Sequence, residues 1–256
     1  MITIKQAILN QSSAVRTNVL PEVRKVMDTV VPDYDSVREY KTDIIQWLKP
    51  MIDLSGFHIY PTNGITEGLN WWMANDNRRI FMDDGDYQWV KPNAFLHDNC
   101  IKYMSVPSAI DGNFKDIPMH TPLALDLAYV GSTRVQKINI SNNVDHAFYS
   151  LSKAFGIRNI RTGWYFTREP DLRLEALTHG AKYYNYFAHD AAETIIKSFD
   201  IDFVHKAMYN KQIQMCNDLD LVPSDSVWLA TTKNKDYEKF MRDNVNARIC
   251  LAGVMK

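Results

Sequence analysis

Lys153 sits in Ser150-Leu151-Ser152-Lys153-Ala154-Phe155-Gly156, directly after an apolar stretch, among small hydroxyl residues and ahead of a glycine. A lysine in such a place is poorly solvated, and burial makes an ammonium group lose its proton easily. The free amine is then a nucleophile for a carbonyl. Ser150 and Ser152 flank it, and Arg161 follows eight residues on. Guanidinium grips phosphate bidentately, so this set of groups suits a phosphate-bearing aldehyde. The bland alternative is a strand end followed by a basic loop.

A second stretch, Leu123-Ala124-Leu125-Asp126-Leu127-Ala128-Tyr129, places a carboxylate inside an apolar run. Burying that charge is costly unless a cation or several hydrogen bonds compensate. A protonated pyridine nitrogen would be such a cation, with Tyr129 three residues later able to donate its hydroxyl to a ring oxygen. Asp126 could equally be a strand-terminal residue starting a turn. A third stretch, Thr62-Asn63-Gly64-Ile65-Thr66-Glu67-Gly68, is a glycine turn that opens a helix. Free backbone N–H groups and the positive end of the helix dipole make that a phosphate site. Alternatively, Thr66 is simply an N-cap.

Taken together and in this order, the three stretches resemble the fold-type I pyridoxal-phosphate (PLP) enzymes, and among them the class I/II aminotransferases. The resemblance implies an α/β fold, the PLP-transferase three-layer sandwich with a small C-terminal α+β domain. It implies pyridoxal 5'-phosphate as cofactor, with Lys153 as the Schiff-base lysine and Ser150, Ser152 and Arg161 as phosphate ligands. Gly64, Ile65 and Thr66 would form the phosphate-binding turn. Asp126 would face the pyridine nitrogen and Tyr129 the ring oxygen. In Asp86-Tyr87-Gln88-Trp89, Tyr87 matches the aromatic residue that stacks on the ring, with Trp89 as the alternative. Arg248, in Ala247-Arg248-Ile249-Cys250-Leu251-Ala252, matches the clamp on the substrate α-carboxylate, and its alternative is an edge-strand arginine with a solvated head. Tyr34 matches a tyrosine that reaches the cofactor phosphate of a neighbouring subunit, which implies a homodimer.

The sequence also departs from the family pattern. The N-P-x-G segment that normally supplies an asparagine to the ring oxygen is absent, and only 38 residues lie between Tyr87 and Asp126. A strand-helix unit is therefore missing. Either Tyr129 holds the ring oxygen alone or another residue such as Asn113 substitutes.

Several elements must position these residues. A largely helical lead-in is expected over 13–50, then a strand over 56–61 turning into a helix over 68–73. Strands are expected over 79–82, 101–106, 123–129 and 147–151, an alternation with helices that implies an α/β sheet. His189-Asp190 reads as a cap ahead of a long helix, and the resemblance makes 222–229 and 247–252 strands of the small domain. The expected organisation is a helical segment over 1–50, a PLP-binding large domain over 51–190 and a small C-terminal domain over 191–256. Tyr183, Tyr184 and Tyr186 are candidates for a substrate pocket or for packing.

Bulk properties narrow the function. Of 256 residues, 46% are hydrophobic and 23% charged, which fits a folded globular chain. The net charge of −1, with basic residues scattered, argues against nucleic acid or anionic membrane as partner. The three cysteines and seven histidines lack metal-ligand spacing. The widely spaced cysteines fit a reducing, cytoplasmic setting. The opening stretch is polar throughout and no run reaches membrane-span length, so a soluble protein is expected, and the resemblance implies a place in amino-acid metabolism. The resemblance implies a transaminase moving an amino group between an amino acid and a 2-oxo acid. Rival readings are another PLP-dependent enzyme, such as a decarboxylase, C–S lyase or racemase, or a non-catalytic binding protein of the same fold.

Overall fold

The computed structural model describes residues 3–31, 37–90 and 99–255. Its frame is a six-stranded sheet formed by β1 (His58–Thr62), β2 (Arg79–Met82), β3 (Cys100–Ser105), β4 (Leu123–Asp126), β5 (Val144–Tyr149) and β6 (Gly163–Thr167). The strand order is β1-β6-β5-β4-β3-β2, with β2 to β5 mutually parallel and β6 antiparallel to both β5 and β1.

Alternation along these strands makes three layers, because successive side chains point to opposite faces. Tyr103, Ala124, Phe148 and Tyr165 join Ile65, Leu69 and Trp72 of α4 (Ile65–Asn75) on one face. Met104, Leu125, Ala147, Tyr149 and Trp164 face the other way, into a larger core with α2 (Pro21–Met27), α3 (Ile44–Leu48) and α7 (Tyr186–Ser198). Gly68 lets α4 lie close to the sheet, since a Cβ there would stand 3.1 Å from Phe148 and 3.3 Å from the Tyr165 Cβ.

The other described helices are α1 (Ile4–Leu9), α5 (Leu151–Ala154), α6 (Leu172–Glu175) and α8 (Phe203–Leu219). α8 buries Val204, Met208, Gln212 and Cys216, a stripe spaced four residues apart as a helix face requires. It packs on an antiparallel sheet of β7 (Val222–Pro223), β8 (Leu229–Thr232) and β9 (Ala247–Cys250), and Gln212 donates to carbonyls of Ser224, Ser226 and Leu229. The larger core continues into this sheet through Trp228, Leu229 and Ile249. No helix among the described residues is long and apolar enough to cross a membrane.

Three expectations need correction, and one strand was missed. Among the described residues, the lead-in is helical only over α2 and α3. Residues 15–20 hold no regular secondary structure, and Leu20 is extended because Pro21 forces its predecessor out of the helical region. The strand expected over 123–129 stops at Asp126, and the apolar residues after it form a buried turn closed by Val130 N–H on the Leu127 carbonyl. His189-Asp190 lies inside α7, whose cap is Asn185, accepting from Ala188 N–H at 3.1 Å. β6 was not foreseen. α7 runs continuously through residue 190, where the large and small regions were expected to divide. Between Tyr87 and Asp126 the described residues hold one strand, β3, and no helix.

Candidate active site

A cavity of about 460 Å³, of a size that takes small molecules, opens where the parallel strands end. Open α/β sheets bind ligands at the carboxyl ends of their strands for topological reasons. Here Ser105 ends β3, Asp126 ends β4 and Ser150 follows β5, so three adjacent strands deliver polar side chains to one place.

Asp126 is buried and held from two sides. Tyr103 Oη donates to its Oδ2 at 2.6 Å, and Ala128 N–H donates to its Oδ1 at 2.8 Å. Burial pushes its pKa up to about 6 against these two bonds. Asp86, also buried, accepts from Ser105 Oγ at 2.5 Å and from Tyr87 N–H at 2.7 Å, which fixes the turn that brings Tyr87 to the cavity. Trp89, the alternative to Tyr87, turns away and donates to Asn70 Oδ1 at 2.9 Å.

Lys153 lies on α5, a single turn capped at Ser150. Its Nζ donates to the Val15 carbonyl at 2.7 Å, and burial, aided by Arg248 and Arg158 and opposed by Cys250 and Asp126, lowers its pKa from the ordinary lysine value. Ser152 Oγ is buried with no hydrogen-bond partner among the described residues. Arg161 reaches back across the turn before α4, donating to the Asn63 carbonyl and to the Arg158 carbonyl, both at 3.0 Å. That turn needs glycine: Gly64 has φ +90°, and a Cβ there would collide with the Arg161 guanidinium. Thr66 and Ile65, in the first turn of α4, line the cavity, and their N–H groups stand where a helix has no internal acceptors.

Tyr129 lines the cavity from the turn after β4, and burial raises its pKa while Arg248 lowers it. Arg248, on β9, is only 5% exposed. Its guanidinium donates to the Ala109 carbonyl and, at 3.1 Å, to the Ser13 carbonyl, while its Nε has no partner among the described residues.

Ten of the expected residues therefore line one cavity: Ile65, Thr66, Tyr87, Asp126, Tyr129, Ser150, Ser152, Lys153, Arg161 and Arg248. Gly64 stands behind them in the turn before α4. Tyr34 lies outside the described residues. Asn113 does not reach the site. Its side chain accepts from Asp225 N–H at 2.9 Å, tying two loops together. Tyr183 and Tyr184 line a different cavity with Trp71 and His189. Sequence reasoning missed Tyr103, Asp86, Ser105, Arg158, Arg242 and the segment 13–17, all of which border the site or hold its residues. The unmet need of Asp126 for a buried donor was a signal for a residue such as Tyr103 on a neighbouring strand.

No family model matches the sequence, and neither does any curated protein. Solved structures do match. An aminotransferase from Staphylococcus aureus superposes with a TM-score of 0.62 at 13% identity, covering 93% of this chain and 87% of that one. A PLP-bound C–S lyase from Staphylococcus hominis gives 0.63 at 13% identity, covering 96% and 83%. L-threonine-O-3-phosphate decarboxylase from Porphyromonas gingivalis gives 0.60 at 16% identity, covering 94% and 95%.

The chain has the aminotransferase fold. Identities of this size make the likeness one of fold, shared by proteins named for three different reactions. Within the aminotransferase fold of this chain, the cavity at the strand ends is where the sequence motifs and the geometry coincide.

Proposed function

We propose that the chain is a PLP-dependent enzyme acting on amino acids, and that its reaction is transamination. The observation that carries this reading is that the Lys153 amine and the Asp126 carboxylate face one cavity whose rim is built of Ser150, Ser152, Thr66 and Arg161. The donor set fits the cofactor. Ser152 Oγ is buried and unpartnered, and the Gly64 turn leaves room for Arg161 beside free N–H groups, which together suit a phosphate. A buried carboxylate with a raised pKa suits a ring nitrogen that carries a proton.

When bound, pyridoxal 5'-phosphate supplies an electron sink for the carbanion formed at the substrate α-carbon. The chain does the rest. Lys153 would anchor the cofactor through its amine, and its Nζ as a free amine would be the base that holds and moves the substrate α-proton, a role its lowered pKa supports. Asp126 keeps the ring nitrogen protonated, with Tyr103 fixing the carboxylate. Tyr129 donates to the ring oxygen, in place of the missing asparagine. Tyr87 covers the ring face, and Arg248 holds the α-carboxylate. A C–S lyase or decarboxylase would use the same Lys153 and Asp126, and the fold neighbours include both.

The same reading carries a homodimer with Tyr34 reaching the partner's cofactor. The deciding experiment is the visible spectrum of purified protein with PLP, followed by addition of single amino acids with and without a 2-oxo acid. Transamination predicts conversion to the pyridoxamine form and its reversal by the oxo acid. Turnover indifferent to any 2-oxo acid would assign the chain to a lyase or decarboxylase instead.

A further inference from the structure

We propose that Asp86 is a positioning residue of this cavity: a second buried carboxylate that sets the turn carrying Tyr87 and adds its charge to that of Asp126 in holding a ring cation. The inference rests on the reading of the cavity as a PLP site and goes beyond it, since Asp86 has no part in the assignments above.

Asp86 is buried and borders the same cavity as Asp126. Three donors hold its carboxylate. Oδ1 accepts from Ser105 Oγ at 2.5 Å and from Tyr87 N–H at 2.7 Å, and Oδ2 accepts from Ser105 N–H at 3.2 Å. Ser105 ends β3 and stands opposite Asp126 of β4 in the strand register. One serine therefore links the two acids, bonding Asp86 directly and lying a strand spacing of about 4.8 Å from the backbone of Asp126. The turn is also fixed from behind, because Gly85 has φ +86° and a Cβ on it would collide with the Arg242 carbonyl.

Neither carboxylate has a cationic partner. The acids of this part of the sheet that pair with cations are Asp76 and Asp145, through Arg78, and Asp83, through Lys102. Asp86 and Asp126 form no ion pair among the described residues. A buried carboxylate without a counter-charge costs desolvation energy, and two that face one cavity also repel. The effect is visible at Asp126, whose pKa is raised first by burial and then by the charge of Asp86, against the hydrogen bonds from Tyr103 and Ala128 N–H and a charge on Lys153.

A cation that enters beside Asp126 relieves both carboxylates at once. A protonated ring nitrogen is such a cation. Where water is excluded, the attraction between charges falls slowly with distance, so Asp86 contributes from beyond β3 without touching the ring. It acts through Ser105 and Tyr87 on the position of the ring, and through its charge on the proton that the ring carries.

The test separates these two actions. Cofactor-free protein is titrated with PLP and with 1-deazapyridoxal 5'-phosphate, in which a carbon replaces the ring nitrogen, so that no cation forms there. The wild type is expected to favour PLP. Asp86→Asn keeps an acceptor for Ser105 Oγ and Tyr87 N–H but removes the charge, and should lower that preference about threefold or more. Ser105→Ala disturbs the same turn and leaves the charge, so it should weaken both compounds alike. An unchanged preference in Asp86→Asn overturns the proposal, as does equal affinity of the wild type for the two compounds. An equal loss of preference in Ser105→Ala also overturns it, since Asp86 would then only hold the turn. If the protein takes up neither compound, the cofactor reading fails by itself. The titration of Asp126 in the cofactor-free chain, followed by NMR of labelled aspartate, then still decides whether the charge of Asp86 reaches it. The midpoint should fall from about 6 in Asp86→Asn, and a midpoint that stays in place refutes the link. Asp86→Ser, with the same expectations, covers the case in which the asparagine variant does not fold.

Discussion

Tyr103 and Asp126 stand on adjacent parallel strands and meet through a 2.6 Å hydrogen bond from the phenol to the carboxylate. The bond aims a buried charge into the cavity, and the Ala128 N–H fixes the other oxygen. The carboxyl group is thereby oriented before any ligand arrives, as a site for a cation must be if it is to lose little on binding.

From this pair comes a prediction about pH. The Asp126 pKa lies near 6 in the folded chain and at 3.8 as an ordinary carboxyl. A raised acid pKa means that the native state holds more protons through that window. Ionising Asp126 therefore costs stability as pH rises through it. A bound cation opposes that cost, so the gain in Tm on adding PLP should grow between about pH 5 and about pH 7. Asp126→Asn should flatten the dependence. A gain that is the same at both ends of the range in the wild type would contradict the placement of the ring nitrogen at Asp126.

Lys153 is expected to carry the cofactor. Borohydride reduction of the loaded protein followed by peptide mapping should recover the label on the peptide holding Ser152-Lys153-Ala154, and Lys153→Ala should lose turnover by several orders of magnitude while keeping the fold. A label on another lysine would displace Lys153 from the role.

How much of this was legible depends on how locally each residue is placed. Lys153, Asp126, Gly64 and Thr66 follow directly from strand ends and from one helix start, so short-range pattern was enough to find them. Tyr103, Asp86 and Arg242 come to the cavity through pairing of distant segments, and nothing in their own neighbours marks them. The Ser13 and Val15 carbonyls are further removed still, being backbone atoms of a stretch read as helical. The strand ending at Asp126 was drawn too long for a physical reason: Leu127 and Val130 continue the apolar run inside a buried turn, where burial mimics a strand. β6 escaped notice because Trp164, Tyr165 and Phe166 follow a basic loop and are buried on both faces, leaving no alternation to read.

Gly64 should tolerate no side chain. With φ +90° and the Arg161 guanidinium in the path of any Cβ, Gly64→Ala is expected to lower stability by about 1–2 kcal/mol and to weaken PLP binding at least about tenfold, because Arg161 must move from the phosphate position. Equilibrium unfolding and a PLP titration check the two parts separately. Unchanged cofactor affinity in a folded Gly64→Ala variant would show that this turn is not the phosphate site.

The last prediction concerns acid stability and His189. The ring is 4% exposed on α7, with Trp164 and Tyr40 meeting it edge to face at centroid distances of 5.5 and 5.6 Å. Burial lowers its pKa to about 4, and the Thr62 carbonyl, its hydrogen-bond partner, only partly opposes this. Nδ1 has no partner among the described residues, so the neutral ring is the form that fits. The sign follows from the unfolded chain, in which histidine has its ordinary value of 6.5. Between that value and about 4, the unfolded state binds the proton and the native state does not. His189 therefore contributes nothing adverse above about pH 6.5 and destabilises the protein progressively as pH falls toward 4, by an amount on the order of 3 kcal/mol at full effect. Asp126 acts in the opposite direction over an overlapping range, so the wild-type profile alone does not isolate the histidine. The comparison that does is His189→Gln, which keeps a donor for Thr62 and does not titrate. Its Tm should fall less steeply than that of the wild type between about pH 6.5 and about pH 4.5. Parallel profiles for the two proteins would mean that the native structure admits the charged ring, and that the aromatic enclosure around His189 opens in acid at little cost.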